Sequence, residues 1–349
     1  MSRANLPKLA LALAIGASGG LLFTILHVPL AWMLGPMLAT TIASLAGAPL
    51  AVPAALRGPT IAVLGVLLGS GFDREVLEQL LRWLPILLAL PAYVAGVTLL
   101  AYLYLRRVAR LDPPTAWFSA TPGGLGEMIV LGDRAGGDLR TIALVHSTRI
   151  LLVVLAIPIA LRAMGHAIPT VPATARAAAG ARDLAVLLLC GLVGLGLGRL
   201  SRLPAPGLLG PMLASAGAHL SGIVHGAPPV FVVALAQLVI GAQVGGRFAG
   251  YSVPRVAQAV ASGLGLTVLM LAAALASGWL LARASGLPPL LLILALAPGG
   301  LAEMSLVALA LTDDPAFVAA MHIVRIALVV VAAPLLFRLL ERRLPPLGS

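Results

Sequence analysis

Apolar residues fill this chain in long blocks, separated by short gaps that hold most of the charge. Blocks of about twenty apolar residues are long enough to cross the hydrocarbon core of a bilayer as helix. Six can be drawn in the first half, roughly at 9–27, 30–47, 54–71, 83–105, 115–132 and 139–163. Six more follow, roughly at 182–200, 206–223, 228–246, 257–283, 288–311 and 316–339. The Ala- and Arg-rich stretch from Arg162 to Arg182 contains no long apolar run. The pattern predicts an all-α polytopic membrane protein: a first membrane repeat over 1–165, an inter-repeat linker over 166–181 and a second repeat over 182–349. Each repeat holds five to six transmembrane segments.

Polar residues interrupt the blocks at matched places. The passage TPGGLGEM, Thr121 to Met128, is followed by His146 and Arg149. It returns as APGGLAEM, Ala297 to Met304, followed by His322 and Arg325, at a constant offset of 176 positions. Gly16, Gly19, Pro29 and LGPM (Leu34 to Met37) match Gly191, Gly194, Pro204 and LGPM (Leu209 to Met212) at an offset of 175. A duplication explains both offsets, and it makes the first block, with Arg3 and Lys8 before it, part of the fold rather than a signal peptide.

The fifth block of each half carries the chemistry. Pro122-Gly123-Gly124 and Pro298-Gly299-Gly300 break apolar sequence at a depth where freed peptide groups need partners, so the chain must unwind inside protein or beside a cavity. A helix restarting after the break would present bare N–H groups and a positive dipole end. Matched breaks in two repeats are the sequence mark of a transporter's binding site. Pro36 and Pro211 in the LGPM motifs are two further expected helix breaks.

Glu127 and Glu303 either cap the restarting helices or sit at membrane depth, where a carboxylate is costly and functional by default. Arg149 and Arg325 lie three residues after His146 and His322, so each pair shares a helix face. Either arginine could pair a glutamate statically or hold an anionic group. The histidines pack between helices or relay protons. Gln237 and Gln243 read as interhelical hydrogen bonds first and solute contacts second, and Asp133, Asp138, Asp313 and Asp314 as solvated turns, with Asp138 and Asp314 as N-caps. Gly65, Gly69, Gly71, Gly241, Gly245 and Gly246 mark a close helix interface, within one chain or between copies in a homo-oligomer.

Composition narrows the classes. With 60% hydrophobic and 10% charged residues and a mean hydropathy of +1.06, one soluble core could not bury this chain. A net charge of +11 would suggest nucleic acid in a soluble protein, but the arginines sit in gaps between blocks, as topology signals do. Cys190 is the single cysteine, so intrachain disulfides and thiolate metal sites are excluded. One lysine against 22 arginines points to a GC-rich bacterial genome.

Charge also bears on topology. If all six blocks of each half cross, Lys and Arg divide 13 inside against 8 outside. If each fifth block folds back at Gly-Gly, five crossings per half make the repeats inverted and the division 15 against 6, a stronger positive-inside bias. The second arrangement, with both termini cytoplasmic, is the preferred expectation.

The paired TPGGLGEM and APGGLAEM motifs, their histidines and arginines, and the two LGPM motifs resemble the AbrB duplication family of bacterial inner-membrane proteins, from about residue 10 to 340. The resemblance implies a place in the bacterial inner membrane and brings two labels, ammonia monooxygenase and regulator of gene expression. The six histidines are scattered and form no i, i+3 or i+4 cluster for copper or iron, which disfavours the oxygenase. The residues themselves point to a secondary transporter or permease for a small polar or anionic solute, proton-coupled through Glu127 and Glu303. The alternative is a membrane-embedded sensor or regulator acting indirectly on gene expression. No enzyme activity, cofactor, metal or nucleic-acid partner is expected, and the partners are the lipid bilayer and the solute.

Overall fold

The computed structural model describes residues 6–28, 30–72, 74–163, 179–201, 203, 205–251, 253–312 and 314–341. Most of the expected linker, with Pro29, Pro204 and Asp313, lies outside them. All regular structure among the described residues is helical. The first half gives α1 (Leu6–Ile25), α2 (Ala31–Leu45), α3 (Arg57–Gly69), α4 (Arg74–Arg107), α5 (Pro113–Ala120), α6 (Leu125–Arg134) and α7 (Leu139–Ala163). The second gives α8 (Ala181–Leu200), α9 (Pro206–Leu220), α10 (Val230–Gly245), α11 (Val253–Ser285), α12 (Pro289–Leu296), α13 (Leu301–Leu311) and α14 (Pro315–Glu341).

Seven helical stretches among the described residues are long and apolar enough to span a membrane: Leu6–Ile25, Arg82–Arg107, Leu139–Ala163, Ala181–Leu200, Val230–Phe248, Val256–Ser285 and Pro315–Leu339. The expected blocks at 30–47, 54–71 and 206–223 yield shorter helices of 15, 13 and 15 residues. At about 1.5 Å per residue these fall short of a 30 Å core. Pro36 and Pro211 sit inside α2 and α9 without ending them. Each follows its N-cap by six positions, so the expected break at these prolines is corrected to a proline carried within the helix.

The chain forms two compact units, each drawing segments from both halves. The first comprises residues 1–82, 154–253 and 302–319, and the second comprises 83–153, 254–301 and 320–349. In the first unit α1, α2 and α10 pack together, and α8, α9 and α3 pack together. Glycines decide these crossings. A Cβ on Gly35 would strike the carbonyl of Gly19, and one on Gly210 would strike the carbonyl of Gly194. Gly65 and Gly69 of α3 lie against the backbone of Leu208 and Met212, while Gly241 and Gly245 of α10 lie against that of Met33 and Met37. The third-block glycines therefore serve contacts within this chain, where small residues let helices approach closely. Gly71 and Gly246 make no such approach to another helix.

Leu30 and Ala205 precede α2 and α9 as N-caps in the left-handed region, with φ of 52° and 48°. For a residue with a Cβ this costs about 1–2 kcal/mol. Asp138 and Asp314 cap as expected: Asp138 Oδ1 accepts from Arg140 N at 3.0 Å, and Asp314 Oδ1 from Phe317 N at 2.9 Å. Cys190 is buried, its Sγ 3.6 Å from the carbonyl of Ala214.

The second unit has an aromatic and aliphatic core in which Trp117 and Phe118 of α5 meet Phe337 of α14. Trp117 also donates from Nε1 to the Ala333 carbonyl at 3.1 Å, and Thr115 Oγ1 accepts from Asp138 N at 2.8 Å. These bonds fix α5 against α14 and the start of α7.

Candidate functional site

Both Pro-Gly-Gly passages lie in the second unit, each between two short helices of the sequence. Residues 121–124 lie between α5 and α6, and residues 297–300 between α12 and α13. Helix cannot continue there, because proline lacks an N–H and consecutive glycines carry the highest entropic cost of ordering as helix. The carbonyls so released need donors in an apolar interior.

At the second break those donors are side chains. Arg325 donates from Nη1 to the Ala297 carbonyl at 2.7 Å and from Nη2 to the Gly299 carbonyl at 2.9 Å. Tyr93 of α4 donates its hydroxyl to the carbonyl of Leu296, the last residue of α12, at 3.0 Å. The carbonyls of Leu296, Ala297 and Gly299 are thereby satisfied by two side chains, and Arg325 is 1% exposed.

At the first break the backbone and a histidine do the same work. Gly123 N donates to the Thr121 carbonyl at 2.8 Å, closing a tight turn over Pro122. His146 Nε2 lies 2.8 Å from the carbonyl of Phe118. A carbonyl cannot donate, so Nε2 carries the proton and Nδ1 presents a lone pair. Arg149 Nη2 donates to that Nδ1 at 3.1 Å. His146 and Arg149 are 0% and 1% exposed. Arg149 Nε and Nη1 are buried with no hydrogen-bond partner among the described residues. Arg149 and Arg325 lie within electrostatic reach of each other.

The two glutamates part company. Glu127, in the first turn of α6, is exposed, and its carboxylate curls over Gly124, where a Cβ would collide with Oε2. The static Glu127–Arg149 pair allowed by the sequence is not formed: Glu127 faces outward while Arg149 is buried and bonded to His146. Glu303, in the first turn of α13, is 9% exposed. The helices explain the difference, since α13 is apolar nearly all round whereas α6 ends in Asp133 and Arg134. Glu303 belongs to the first unit and Glu127 to the second. His322 is fully buried on α14, three residues before Arg325.

Three groups escaped the sequence reading. Tyr93 gave no signal, because its partner lies 203 residues away. Ser119, adjacent to Phe118, is buried with an unmatched hydroxyl. Arg247, just past the apolar block at 228–246, closes the Val230–Phe248 span with Nη1 buried and unmatched, within electrostatic reach of Glu303 and of Arg57. Its place four residues after Gln243, on the same helical face, was a usable signal. The Nε2 atoms of Gln237 and Gln243 are also buried without partners, so these amides do not make the expected interhelical bonds through nitrogen.

A separate cleft of about 340 Å³ in the first unit is lined by apolar residues, among them Val63, Leu187, Leu188, Gly191 and Val232. It offers nothing to orient a polar solute. Among the described residues no group of three or more His, Cys, Asp or Glu side chains is placed to hold a metal ion.

Comparison with known proteins agrees with the motifs. The chain is 27% identical over 362 residues to "Uncharacterized protein YhjN" of Bacillus subtilis (strain 168), covering 97% of this chain and 94% of that protein. It is 26% identical over 346 residues to "Putative regulator AbrB" of Escherichia coli (strain K12), covering 97% and 96%. No solved structure matches. The family described as "Transition state regulatory protein AbrB" matches residues 32–341, and this chain of apolar, membrane-length helices belongs to that AbrB family.

Proposed function

We propose that this protein is a secondary transporter or permease of the bacterial inner membrane for a small polar or anionic solute. The observation that carries the reading is the pair of helix interruptions at 121–124 and 297–300, with the carbonyls of the second break held by buried Arg325 and by Tyr93. Irregular backbone at membrane depth is tolerated only inside protein or beside a cavity, and half-helix ends there are where transporters bind solute. Gly123, Gly124, Gly299 and Gly300 offer backbone groups, Arg149 and Arg325 charge, and His146 and His322 imidazoles. Glu303, sheltered and within reach of Arg247, and Glu127 are the candidates for proton carriage.

Two inverted repeats, with both termini cytoplasmic, complete the reading. It is supported by the matched helix lengths of the two halves, by the left-handed caps at Leu30 and Ala205, and by the reciprocal packing of α3 on α9 and α10 on α2. The chain is not an enzyme in this reading.

A second reading, a membrane sensor acting on gene expression through another protein, is favoured by the regulator name of the Escherichia coli relative. Flux separates the two. Purified protein in proteoliposomes is expected to move a solute from a panel of small carboxylates, amino acids and neutral polar compounds, and to respond to a pH gradient that Glu303→Gln abolishes. Solute binding without flux under any gradient would replace transport by sensing.

A further inference from the structure

Arg149 and Arg325 occupy matching positions and are satisfied differently. Arg325 uses two nitrogens on the carbonyls of Ala297 and Gly299. Arg149 uses one, on His146 Nδ1, and leaves Nε and Nη1 buried and unmatched. The cause lies in the first break. Its Thr121 carbonyl already accepts from Gly123 N and the Phe118 carbonyl accepts from His146, so those two carbonyls do not call on the guanidinium.

Nothing described neutralises Arg149. His146 meets it through the Nδ1 lone pair, Glu127 is exposed, and a second guanidinium, Arg325, lies within electrostatic reach and repels it. Two like charges removed from water are among the costliest arrangements a protein can hold, and an anion between or beside them removes most of that cost.

Hydroxyl groups add to the pattern. Thr40, Thr41, Thr121 and Thr267 turn back on the carbonyl four residues earlier, the ordinary arrangement in a helix. Ser119 on α5, next to the Phe118 carbonyl that His146 engages, is buried with a hydroxyl that no described group bonds. A guanidinium and a hydroxyl left unmatched on either side of one histidine are donors that a carboxylate or phosphate oxygen satisfies.

We propose that Arg149 is the seat of a small oxyanion in the first break, served by its unmatched nitrogens and the Ser119 hydroxyl of α5, while Arg325 belongs to the frame that holds the second break. This names the solute class of the transport site and rests on that reading.

The test uses the full-length protein in detergent. Thermal unfolding is followed as chloride is replaced by acetate, or by inorganic phosphate, at constant ionic strength. One or both oxyanions should raise the midpoint by a few degrees in a saturable manner, and the arm that responds identifies a carboxylate or a phosphate site. Arg149→Lys should weaken the apparent affinity about tenfold or more, because an ammonium cannot reproduce the guanidinium's fixed donors. Arg149→Met should abolish the response. Without oxyanion, Arg149→Met should melt at or above the wild-type temperature, whereas Arg325→Met should melt below it.

No response of the wild type to either oxyanion, or a response that survives in both Arg149 variants, overturns the proposal. So does an Arg149→Met protein that melts as low as Arg325→Met in chloride. Oxyanion binding at Arg149 without flux would remove transport and leave this assignment standing. Flux of a neutral solute with no oxyanion response would do the reverse.

Discussion

Arg325 Nη1 lies 2.7 Å from the carbonyl oxygen of Ala297, so a side chain of α14 supplies the hydrogen bond that Pro298 and two glycines deny to the end of α12. The relationship is structural and specific. It ties a buried guanidinium, which is costly to remove from water, to backbone carbonyls that the broken helix leaves in need of donors.

That bond and its neighbours predict a graded loss of stability. Tyr93→Phe removes one neutral bond, to Leu296, and should cost about 1 kcal/mol. Arg325→Met strips two charge-assisted bonds and strands two carbonyls, for about 3 kcal/mol or more. Denaturant unfolding in mixed micelles should rank the wild type, Tyr93→Phe and Arg325→Met in that order.

The glycine crossings make a second prediction. Gly35→Ala and Gly210→Ala each drive a methyl into the backbone of the facing helix, at Gly19 and Gly194, and should cost about 1–3 kcal/mol. Gly96→Ala, on α4, meets nothing within 4 Å and should be neutral or slightly stabilising. Melting temperatures of the three variants in detergent decide it.

Backbone strain gives a prediction of opposite sign. Ala205 stands at φ 48° before α9, where glycine bears no Cβ penalty. Ala205→Gly should raise stability by about 1 kcal/mol, seen as a higher melting temperature.

Glu303 and Arg247 should be coupled. Arg247 has a buried, unmatched Nη1 and lies within electrostatic reach of Glu303, which is 9% exposed. A double-mutant cycle with Arg247→Met and Glu303→Gln should return a coupling of about 1 kcal/mol in stability. In transport assays Glu303→Gln should impair flux more than Glu127→Gln, since Glu127 faces outward.

If the two repeats are inverted as proposed, residue 140 lies on the cytoplasmic side. In a Cys190→Ala background, Arg140→Cys should react with an impermeant maleimide in inside-out vesicles and not in intact cells. Periplasmic reaction would restore six crossings in the first half and parallel repeats.

Much of this protein was legible in one dimension. Hydrophobic blocks located the long helices because a membrane span needs only length and apolarity, both local properties. The positions of the two interruptions followed from Pro-Gly-Gly, and the caps at Asp138 and Asp314 from their place before a helix, again local chemistry. Family membership was carried by the same motifs.

Tertiary structure decided who satisfies whom. Equal motifs implied equal sites, yet Arg325 is bonded to carbonyls while Arg149 keeps two nitrogens unmatched, and Glu303 is buried while Glu127 is exposed. Those outcomes depend on partners such as Tyr93 with Leu296, and Trp117 with Ala333, that lie 203 and 216 residues apart. A repeated sequence determines which groups must find hydrogen bonds. Only packing determines which neighbour supplies each one, because a buried donor or acceptor takes whatever partner the surrounding helices bring within reach.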